Sequence, residues 1–407
     1  MLKTLKKHIP LSVINYGKHL PEAVLANVQN GFPGKKLKVI GVTGTDGKTT
    51  TVNMIYRILQ AAGKKVSMIS TINAEIGGKS YDTGLHVTSP KTSDLQAFMK
   101  KSVENGDELM VLEVSSHAIS QFRVWGVNFE IGVITNITPD HLDYHGSFEN
   151  YVKAKGSLLS NVKYAVLNKD DKQFDLLKKM TTGKVLTFSK NNDADINYRN
   201  LQLKLKVPGE YNQLNAEAAF LVGQALGIEK KVIVDALNNF TGLTGRMESI
   251  DNNLGISVFV DFATTSNAYE NILEDLKAKT KGKLIILFGS AAERDSSKRS
   301  KIGEIAARFA DITILTDDDP RFEDRNKIME EIAVGYYKVR GKDDSHLYKQ
   351  LGRKEAIELA FKLAKKGDVI ALIGKGHEKS MAIEGKELPW SDQEAALSII
   401  KKLQSKS

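Results

Sequence analysis

Residues Val39 to Thr51 read VIGVTGTDGKTTT. A β-branched apolar run from Leu37 to Val42 leads into Gly44-Thr45-Asp46-Gly47-Lys48-Thr49-Thr50, and Val52, Ile55, Tyr56 and Leu59 follow at helical spacing. Strand, glycine loop and helix in that order commit this part of the chain to an α/β fold with a phosphate cradle. Glycines let backbone N–H groups approach phosphate oxygens, and a helix N-terminus favours the anion. Lys48 can then reach terminal phosphates and Thr49 can hold Mg²⁺. The general phosphate-loop pattern wants glycine where Val42 stands, and Gly44 lies two positions later. A bare Gly-Lys-Thr fits any turn; its place between a strand and a helix is what points to a nucleotide.

The alternation continues. Apolar runs at 37–42, 66–70, 109–114, 130–136, 162–167, 256–262, 283–288, 312–316 and 368–373 predict strands, with helical patterns between them. Two of those helices are expected at 93–103, with Ser93 as cap, and at 148–159. This order predicts mainly parallel sheets. The length of 407 residues exceeds one core, so several domains are expected. The boundaries read as a basic segment 1–36, a domain 37–243 and a second α/β domain 244–407, divided near Gly242 to Gly245.

There is no cysteine, which excludes disulfides, thiolate metal sites and cysteine nucleophiles. No apolar run reaches the roughly 20 residues that span a bilayer, and the N-terminus lacks the apolar core of a signal peptide. A cytoplasmic monomer is expected. The charge is uneven. Residues 1–36 carry Lys3, Lys6, Lys7, Lys18, Lys35 and Lys36 against Glu22 alone, whereas the whole chain is only +9. Such a segment is either a solvated face or a contact for an anionic partner, a phosphorylated substrate or a membrane surface. Nucleic acid is not indicated, because no aromatic-basic interleaving occurs. Pro21 to Asn30 is expected to be helical, opened by Pro21 and closed by Gly31. Leu20, Val24 and Val28 would pack it on the first domain, as a lid or pedestal near the mouth of a cleft that attracts an anionic donor. The alternative is a basic tail without a role.

Polar residues gather where strands should end, which is where ligands bind in open α/β sheets. Glu113 closes the apolar run LMVLE, and Asn136, Asp140 and His141 follow GVIT. A carboxylate at a buried strand end must be paired or hold a metal. Glu113, His141 and Thr49 therefore form a candidate Mg²⁺ set, although Mg²⁺ prefers oxygen and His141 reads equally as a hydrogen-bonded loop histidine. Lys155 falls inside the stripe of Tyr151, Ala154, Leu158 and Leu159, with Lys153 opposite. It either snorkels or, neutralised by burial, reacts with CO₂ to form an anionic carbamate. In the second half, Asp261, GSAAERDSSKR, DDDPRFED and GKGHE each follow an apolar run. Two facing sheet edges would make a cleft.

Together these stretches resemble the Mur ligases, nearest to the branch that adds the third residue of the peptidoglycan stem peptide. The motifs are GTDGKTT (44–50), HVTSP (86–90), LEVSSH (112–117), TNITPDHLDYHG (135–146), YVKAK (151–155), GEYNQLNAEAA (209–219), GRME (245–248), DDDPR (317–321) and GKGHE (374–378). The resemblance implies a P-loop-type ATPase domain followed by a Rossmann-like α/β domain. It implies an ATP-dependent ligase that forms an acyl phosphate and then an amide, with two Mg²⁺ ions.

The resemblance also assigns residues. Lys48, Glu113, His141 and Lys155 would be catalytic. Gly44, Thr45, Asp46, Gly47, Lys48, Thr49, Thr50 and Asn136 would surround the phosphates, Asn212 and Asn215 the adenine, and Arg246 and Asp261 the nucleotide from the second domain. Thr49, Glu113, His141 and carbamylated Lys155 would ligate metal. Thr88, Ser89, Ser115, His117, Asp319, Arg321, Gly374 and Glu378 would face the small-molecule substrates, an amino acid and an anionic carboxylate donor.

Departures fall on substrate recognition. About 36 residues precede the first ATPase strand, where the resemblance leads one to expect a UDP-holding domain. DYAHTP appears as Asp261-Phe262-Ala263-Thr264-Thr265-Ser266, GCGGDRD as Gly289-Ser290-Ala291-Ala292-Glu293-Arg294-Asp295, and the DNPR signature for diaminopimelate as Asp318-Asp319-Pro320-Arg321. With a carboxylate at 319, a basic amino acid is expected, lysine first and diaminopimelate second. A polyglutamate, folate or cyanophycin-like donor, or a non-catalytic nucleotide-binding subunit, are the alternatives.

Overall fold

The computed structural model describes residues 10–84, 88–191 and 193–405. The chain forms two compact units, one running up to Lys206 and including Tyr211–Phe240, the other comprising Val207–Glu210 and the chain from Thr241 onward. Both are α/β.

The first unit is built on a nine-stranded sheet. Its strands are β1 (Lys38–Thr43), β2 (Val66–Ile69), β3 (Ala74–Ile76), β4 (Lys79–Tyr81), β5 (Leu109–Glu113), β6 (Phe129–Ile134), β7 (Tyr164–Asn168), β8 (Lys184–Ser189) and β9 (Ile196–Asn197). The order is β4-β3-β2-β5-β1-β6-β7-β8-β9. The edge pairs β2–β3 and β3–β4 are antiparallel, and the remaining pairs are parallel. The central strands are buried on both faces, as parallel strands with crossover helices require. Register places Val42 beside Glu113 and Thr43 beside Ile134, so the loops after β1, β5 and β6 leave the same edge together.

Helix α1 (Leu20–Asn30) ends on Gly31 in the left-handed conformation, as the sequence predicts. Its packing face differs from expectation. Ala23, Ala26 and Asn27 are buried, whereas Val24, Leu25 and Val28 are exposed. Asn27 explains the choice, because its amide donates to Ala23 O and to Trp125 O, both at 2.9 Å. The helix packs on the helix Thr92–Glu104 and is tied by Asn27 to the turn that precedes β6. That turn and Gly34, whose carbonyl accepts from Asn128 N, lie at the amino ends of β1 and β6. The phosphate-type loop is at their carboxyl ends, so this half of the N-terminal segment is no lid over that loop. Lys3, Lys6 and Lys7 lie outside the described residues.

Helix α2 (Lys48–Ala61) follows the glycine loop, and α3 (Thr92–Glu104) begins one residue before its predicted start. Ser93 is not the cap of α3: Lys91 occupies that position, and the Ser93 hydroxyl turns to Asp94. Helix α4 (Phe148–Gly156) is capped by Ser147 and continues as a 3₁₀ turn, Ser157–Leu159. Helix α5 (Glu210–Ala225) carries Asn212 and Asn215.

The second unit holds a six-stranded sheet of β10 (Glu248–Ser249), β11 (Ser257–Asp261), β12 (Leu284–Phe288), β13 (Ile312–Leu315), β14 (Leu347–Lys349) and β15 (Val369–Ile373), in the order β10-β11-β15-β12-β13-β14. Only the edge pair β10–β11 is antiparallel. A hairpin, β16 (Ser380–Ile383) and β17 (Lys386–Pro389), follows. Among the described residues no helix is long and apolar enough to cross a membrane.

Candidate active site

The loop after β1 needs its glycines. Gly44 has φ +153° and Gly47 φ +81°, and a Cβ on either would collide with Thr135 Oγ1 or Asn215 Oδ1 respectively. The loop is also clamped from β6. Asn136 O accepts from Thr45 N at 2.8 Å, Asn136 Oδ1 accepts from Asp46 N at 3.0 Å, and Thr135 Oγ1 donates to Asp46 O at 2.6 Å. Thr45 Oγ1 donates to Thr138 O at 3.0 Å. Asn136 thus shapes the cradle through both its main chain and its side chain. Thr50 sits half-buried on the first turn of α2.

Two lysines meet behind this loop. Lys48 Nζ donates to Thr45 O at 2.8 Å and to Gly44 O at 3.2 Å. Lys155 Nζ donates to the same Gly44 carbonyl at 2.5 Å. Lys155 is 2 % exposed, packed over the Tyr151 ring, whereas Lys153 pairs in solvent with Glu149. The helical pattern therefore reads correctly, and Lys155 does not snorkel. Burial, reinforced by the Lys48 ammonium, holds its pKa well below the usual lysine value. The nearby carboxylates of Asp140, Asp46 and Glu113 oppose that shift.

Glu113 ends β5 buried, as its position in an apolar strand implies. Its Oε1 accepts from Thr49 Oγ1 at 3.1 Å and from Thr71 Oγ1 at 2.7 Å, while Oε2 accepts from Thr71 N at 2.8 Å. Thr71, after β2, is a site residue that sequence reasoning misses; it has no motif, only a place beside the β5 terminus. Ser89 Oγ bridges Glu113 O and Ser115 Oγ, each at 3.2 Å, and Arg123 donates to Ser89 O at 2.8 Å. Thr88 adjoins Ser89, and His86 and Val87 of the same motif lie outside the described residues.

His141 is left-handed at φ +54°, with Nε2 3.2 Å from Asp140 Oδ2. Its ring meets His117 edge-on at 4.7 Å, and His117 lies against Tyr144 at 4.2 Å. His145 hydrogen-bonds Ser116 Oγ at 3.0 Å, and burial, with the His141 charge, lowers it to about 4. The structure brings Thr49 and Glu113 into contact but engages His141 with Asp140 and Lys155 with Gly44. The oxygen donors Thr49 and Glu113 suit Mg²⁺, which takes few protein ligands and keeps waters or phosphate oxygens.

On α5, Asn215 accepts from Thr51 Oγ1 at 3.3 Å and donates to Asn212 Oδ1 at 3.3 Å. Asn215 therefore abuts the glycine loop, beside Gly47.

In the second unit, Asp261 at the end of β11 accepts from Met247 N at 2.7 Å. The Arg246 guanidinium lies 4.8 Å from the Phe262 ring centroid, and His377 packs on the same ring. Burial, with Arg246, lowers His377 to about 3. Gly374 has φ +114°, and a Cβ there would press on Asp318 Oδ2 at 2.5 Å. Asp319 and Arg321 are both left-handed, at φ +42° and +46°. Arg321 is held by its backbone, donating to Ala382 O at 2.9 Å and accepting from Glu384 N at 2.7 Å.

Asp318, Asp319 and Glu378 are the acidic group among the described residues whose donor atoms come within 4.8 Å of one another. Their centre is a lysine, not an open cage. Lys375 Nζ, fully buried, lies 2.8 Å from Asp319 Oδ1 and 2.6 Å from Glu378 Oε2. Burial works to lower this ammonium, but Asp318, Glu378 and Asp319 outweigh it and hold it above the usual value. Asp318 itself is pushed up by burial to about 6. Asp319 Oδ1 also accepts from Ala382 N at 2.9 Å. The Asp319 carboxylate, read from the sequence as favouring a substrate ammonium, is thus engaged by Lys375 and the Ala382 amide.

A phosphate-type loop backed by two lysines and a buried carboxylate, in a chain with a second parallel-sheet unit, marks a nucleotide-binding α/β protein. The comparisons specify it. Residues 42–223 match the Mur ligase middle domain, and residues 245–376 match the Mur ligase, glutamate ligase domain. The chain belongs to the Mur ligase family and is an ATP-dependent ligase that forms a carbon–nitrogen bond. It is 35% identical over 421 residues to a UDP-N-acetylmuramoyl-L-alanyl-D-glutamate–2,6-diaminopimelate ligase of Clostridium acetobutylicum, covering 95% of this chain and 85% of that protein. A solved structure of such a ligase aligns with TM-score 0.61 at 29% identity, over 90% of this chain and 79% of the other. The fold is shared with Mycobacterium tuberculosis folylpolyglutamate synthase, at TM-score 0.69 and 16% identity, over 87% and 92% of the two chains.

Proposed function

We propose that this ligase joins an amino acid to the carboxylate of a muropeptide-type donor through an acyl phosphate. The observation that carries the reading is the meeting of Lys48, Lys155, Thr49 and Glu113 around the loop after β1. A carboxylate is a poor electrophile. Its oxygen attacks the γ-phosphorus of ATP, the bond to the bridging oxygen breaks, and ADP leaves. The acceptor amine then adds to the acyl carbon, loses a proton, and expels inorganic phosphate as the amide forms.

In this scheme the clamped loop presents backbone N–H groups to the phosphates, and Lys48 exchanges its carbonyl contacts for phosphate oxygens. Fixed donors aimed at developing charge are where rate enhancement of this kind arises. Thr49 and Glu113 would hold Mg²⁺, which when bound neutralises phosphate charge. Lys155, whose burial and Lys48 neighbour disfavour its charged form, is the amine suited to carbamate formation, which would add an anionic oxygen ligand beside a second ion. His141 would need to leave Asp140 to join that set.

For the acceptor, the names of the relatives point to diaminopimelate, and the charge balance of the second unit is compatible with it. Asp318, Asp319 and Glu378 outnumber Lys375, so the cluster keeps negative charge that favours an amino acid with a second ammonium. Arg321, 3.7 Å from the Glu293 carboxylate, would be the group to meet a substrate carboxylate. We therefore assign lysine or diaminopimelate, with the cluster as a whole, and not Asp319 alone, as the recognising element. The test is an amino-acid screen with UDP-muramoyl-dipeptide and plain γ-glutamyl peptides as donors, read by mass spectrometry. A product gaining lysine or diaminopimelate supports the reading; a product formed only with glutamate on a γ-glutamyl donor refutes it.

A further inference from the structure

The exposed apolar side chains of this protein are concentrated at one place. Among the described residues thirteen large hydrophobics are exposed, and six of them, Leu11, Val13, Tyr16, Val24, Leu25 and Val28, lie within the first 28 residues. The other seven, such as Leu176 and Phe322, are spread over the rest of the chain, as single surface apolar residues usually are. The six belong to one helical run, Leu11–Ile14, a π-turn Asn15–His19, and α1.

The run has two faces. At about 100° per residue, Pro21, Val24, Leu25 and Val28 fall within an arc of about 100°, opposite Ala23, Ala26 and Asn30. The small face is packed on the first unit, through Ala23, Ala26 and Asn27. The large aliphatic face is turned outward, with Leu25 56% and Val28 58% exposed. Tyr16, 64% exposed, edges onto Phe122 at 5.1 Å. A sequence that buries alanines and exposes leucine and valines is not built to leave that face in water.

The charge of the segment points to what covers it. Residues 1–36 contain six lysines and one acid, Glu22. Lys18, Lys35 and Lys36 are exposed, and Lys18 has only a 4.0 Å contact to Glu22. A second copy of the same face would oppose like charges. An anionic bilayer meets both properties at once, taking aliphatic side chains below the headgroups and lysines at their level, with a tyrosine at the boundary. The run from Leu11 to Asn30 would extend about 30 Å at an α-helical rise, long enough to lie flat on such a surface. Asn27 ties α1 to Trp125, in the turn that leads to the amino end of β6.

We propose that the outward face of residues 11–30 is a peripheral membrane-binding helix that docks the protein on anionic phospholipid. The probe is co-sedimentation of the full chain with phosphatidylcholine vesicles, with and without phosphatidylglycerol, at low and high salt. The matched variant is Leu25→Gln with Val28→Gln, two exposed positions outside the catalytic machinery, whose folding is checked by an unchanged melting curve. Binding is expected only to vesicles containing phosphatidylglycerol and should weaken with salt. It should fall at least about tenfold in the double variant, roughly what withdrawing two half-exposed aliphatic side chains from an apolar phase costs. Absence of binding at low salt, equal binding to neutral vesicles, or full binding by the double variant each overturns the proposal. So does a dimer in size-exclusion chromatography that the same substitutions break without any vesicle binding, which would give the face to a second copy.

Discussion

Glu113→Gln separates what this carboxylate does for the fold from what it does for the reaction. The side chain accepts three hydrogen bonds, from Thr49 Oγ1, Thr71 Oγ1 and Thr71 N. Only the Thr71 amide is a fixed donor; both hydroxyls can rotate to accept from an NH₂ group. A glutamine with its carbonyl toward Thr71 N therefore keeps every partner and trades charge-assisted bonds for neutral ones. The stability cost should be about 1 kcal/mol, or a fall of about 2–4 °C in melting temperature for a domain of roughly 200 residues. The reaction loses more. A carboxylate that holds cationic charge against the phosphates is worth about 2.7–4 kcal/mol in the transition state, or 10²–10³ in turnover. Differential scanning fluorimetry and a coupled ADP-release assay on the same preparation measure both quantities. If Glu113→Gln turned over within threefold of the parent, Glu113 would be a structural acceptor only and the metal assignment would fail. If the melting temperature collapsed instead, the loss of activity would say nothing of chemistry.

Three further outcomes are expected. Lys155→Ala should lower ligation by about 100-fold or more while ADP affinity by calorimetry stays within a few-fold, because Lys48 and the clamped loop remain; near-normal turnover would remove Lys155 from the mechanism. Asp319→Asn should leave the ranking of amino-acid acceptors unchanged, since an amide can still accept from Lys375 and Ala382 N; a reversal between lysine and diaminopimelate in competition assays would show that the Asp319 carboxylate reaches the acceptor. Glu217, fully buried on α5, is raised by burial from 4.5 to about 8, so the folded state keeps its proton over a range where the unfolded state loses it. Its contribution is fully present below pH 4.5 and declines up to about pH 8, at about 1.4 kcal/mol per pH unit. Urea titrations should show that decline from pH 5 to 8 in the parent and a flatter profile in Glu217→Gln; identical slopes would contradict the assignment.

What the sequence made legible was local or periodic. The cradle was readable because its strand, glycines, lysine and helix are contiguous, and Lys155 because a 3.6-residue period places it among Tyr151, Leu158 and Leu159. What escaped was set by distant contacts. Thr71 reaches Glu113 only because β2 lies beside β5, and Lys375 meets Asp319 across two loops of the second sheet. Asn136 was legible as a site residue but not as the clamp of the loop from β1. The short strands β3, β4, β9 and β14, at or next to sheet edges, carry too few residues to show alternation. Helix α1 was legible in extent but not in orientation. The aliphatic stripe suggested the buried face, whereas Asn27 and the alanines select the opposite one.

The acyl phosphate is the intermediate that the proposed reaction requires. A donor labelled with ¹⁸O in both carboxylate oxygens, incubated with ATP, Mg²⁺ and the amino acid, should give one ¹⁸O atom in each inorganic phosphate released. The donor oxygen that attacks the γ-phosphorus departs with it when the amine adds. Phosphate carrying no label while amide accumulates would contradict the mechanism, and with it the role given to the loop after β1.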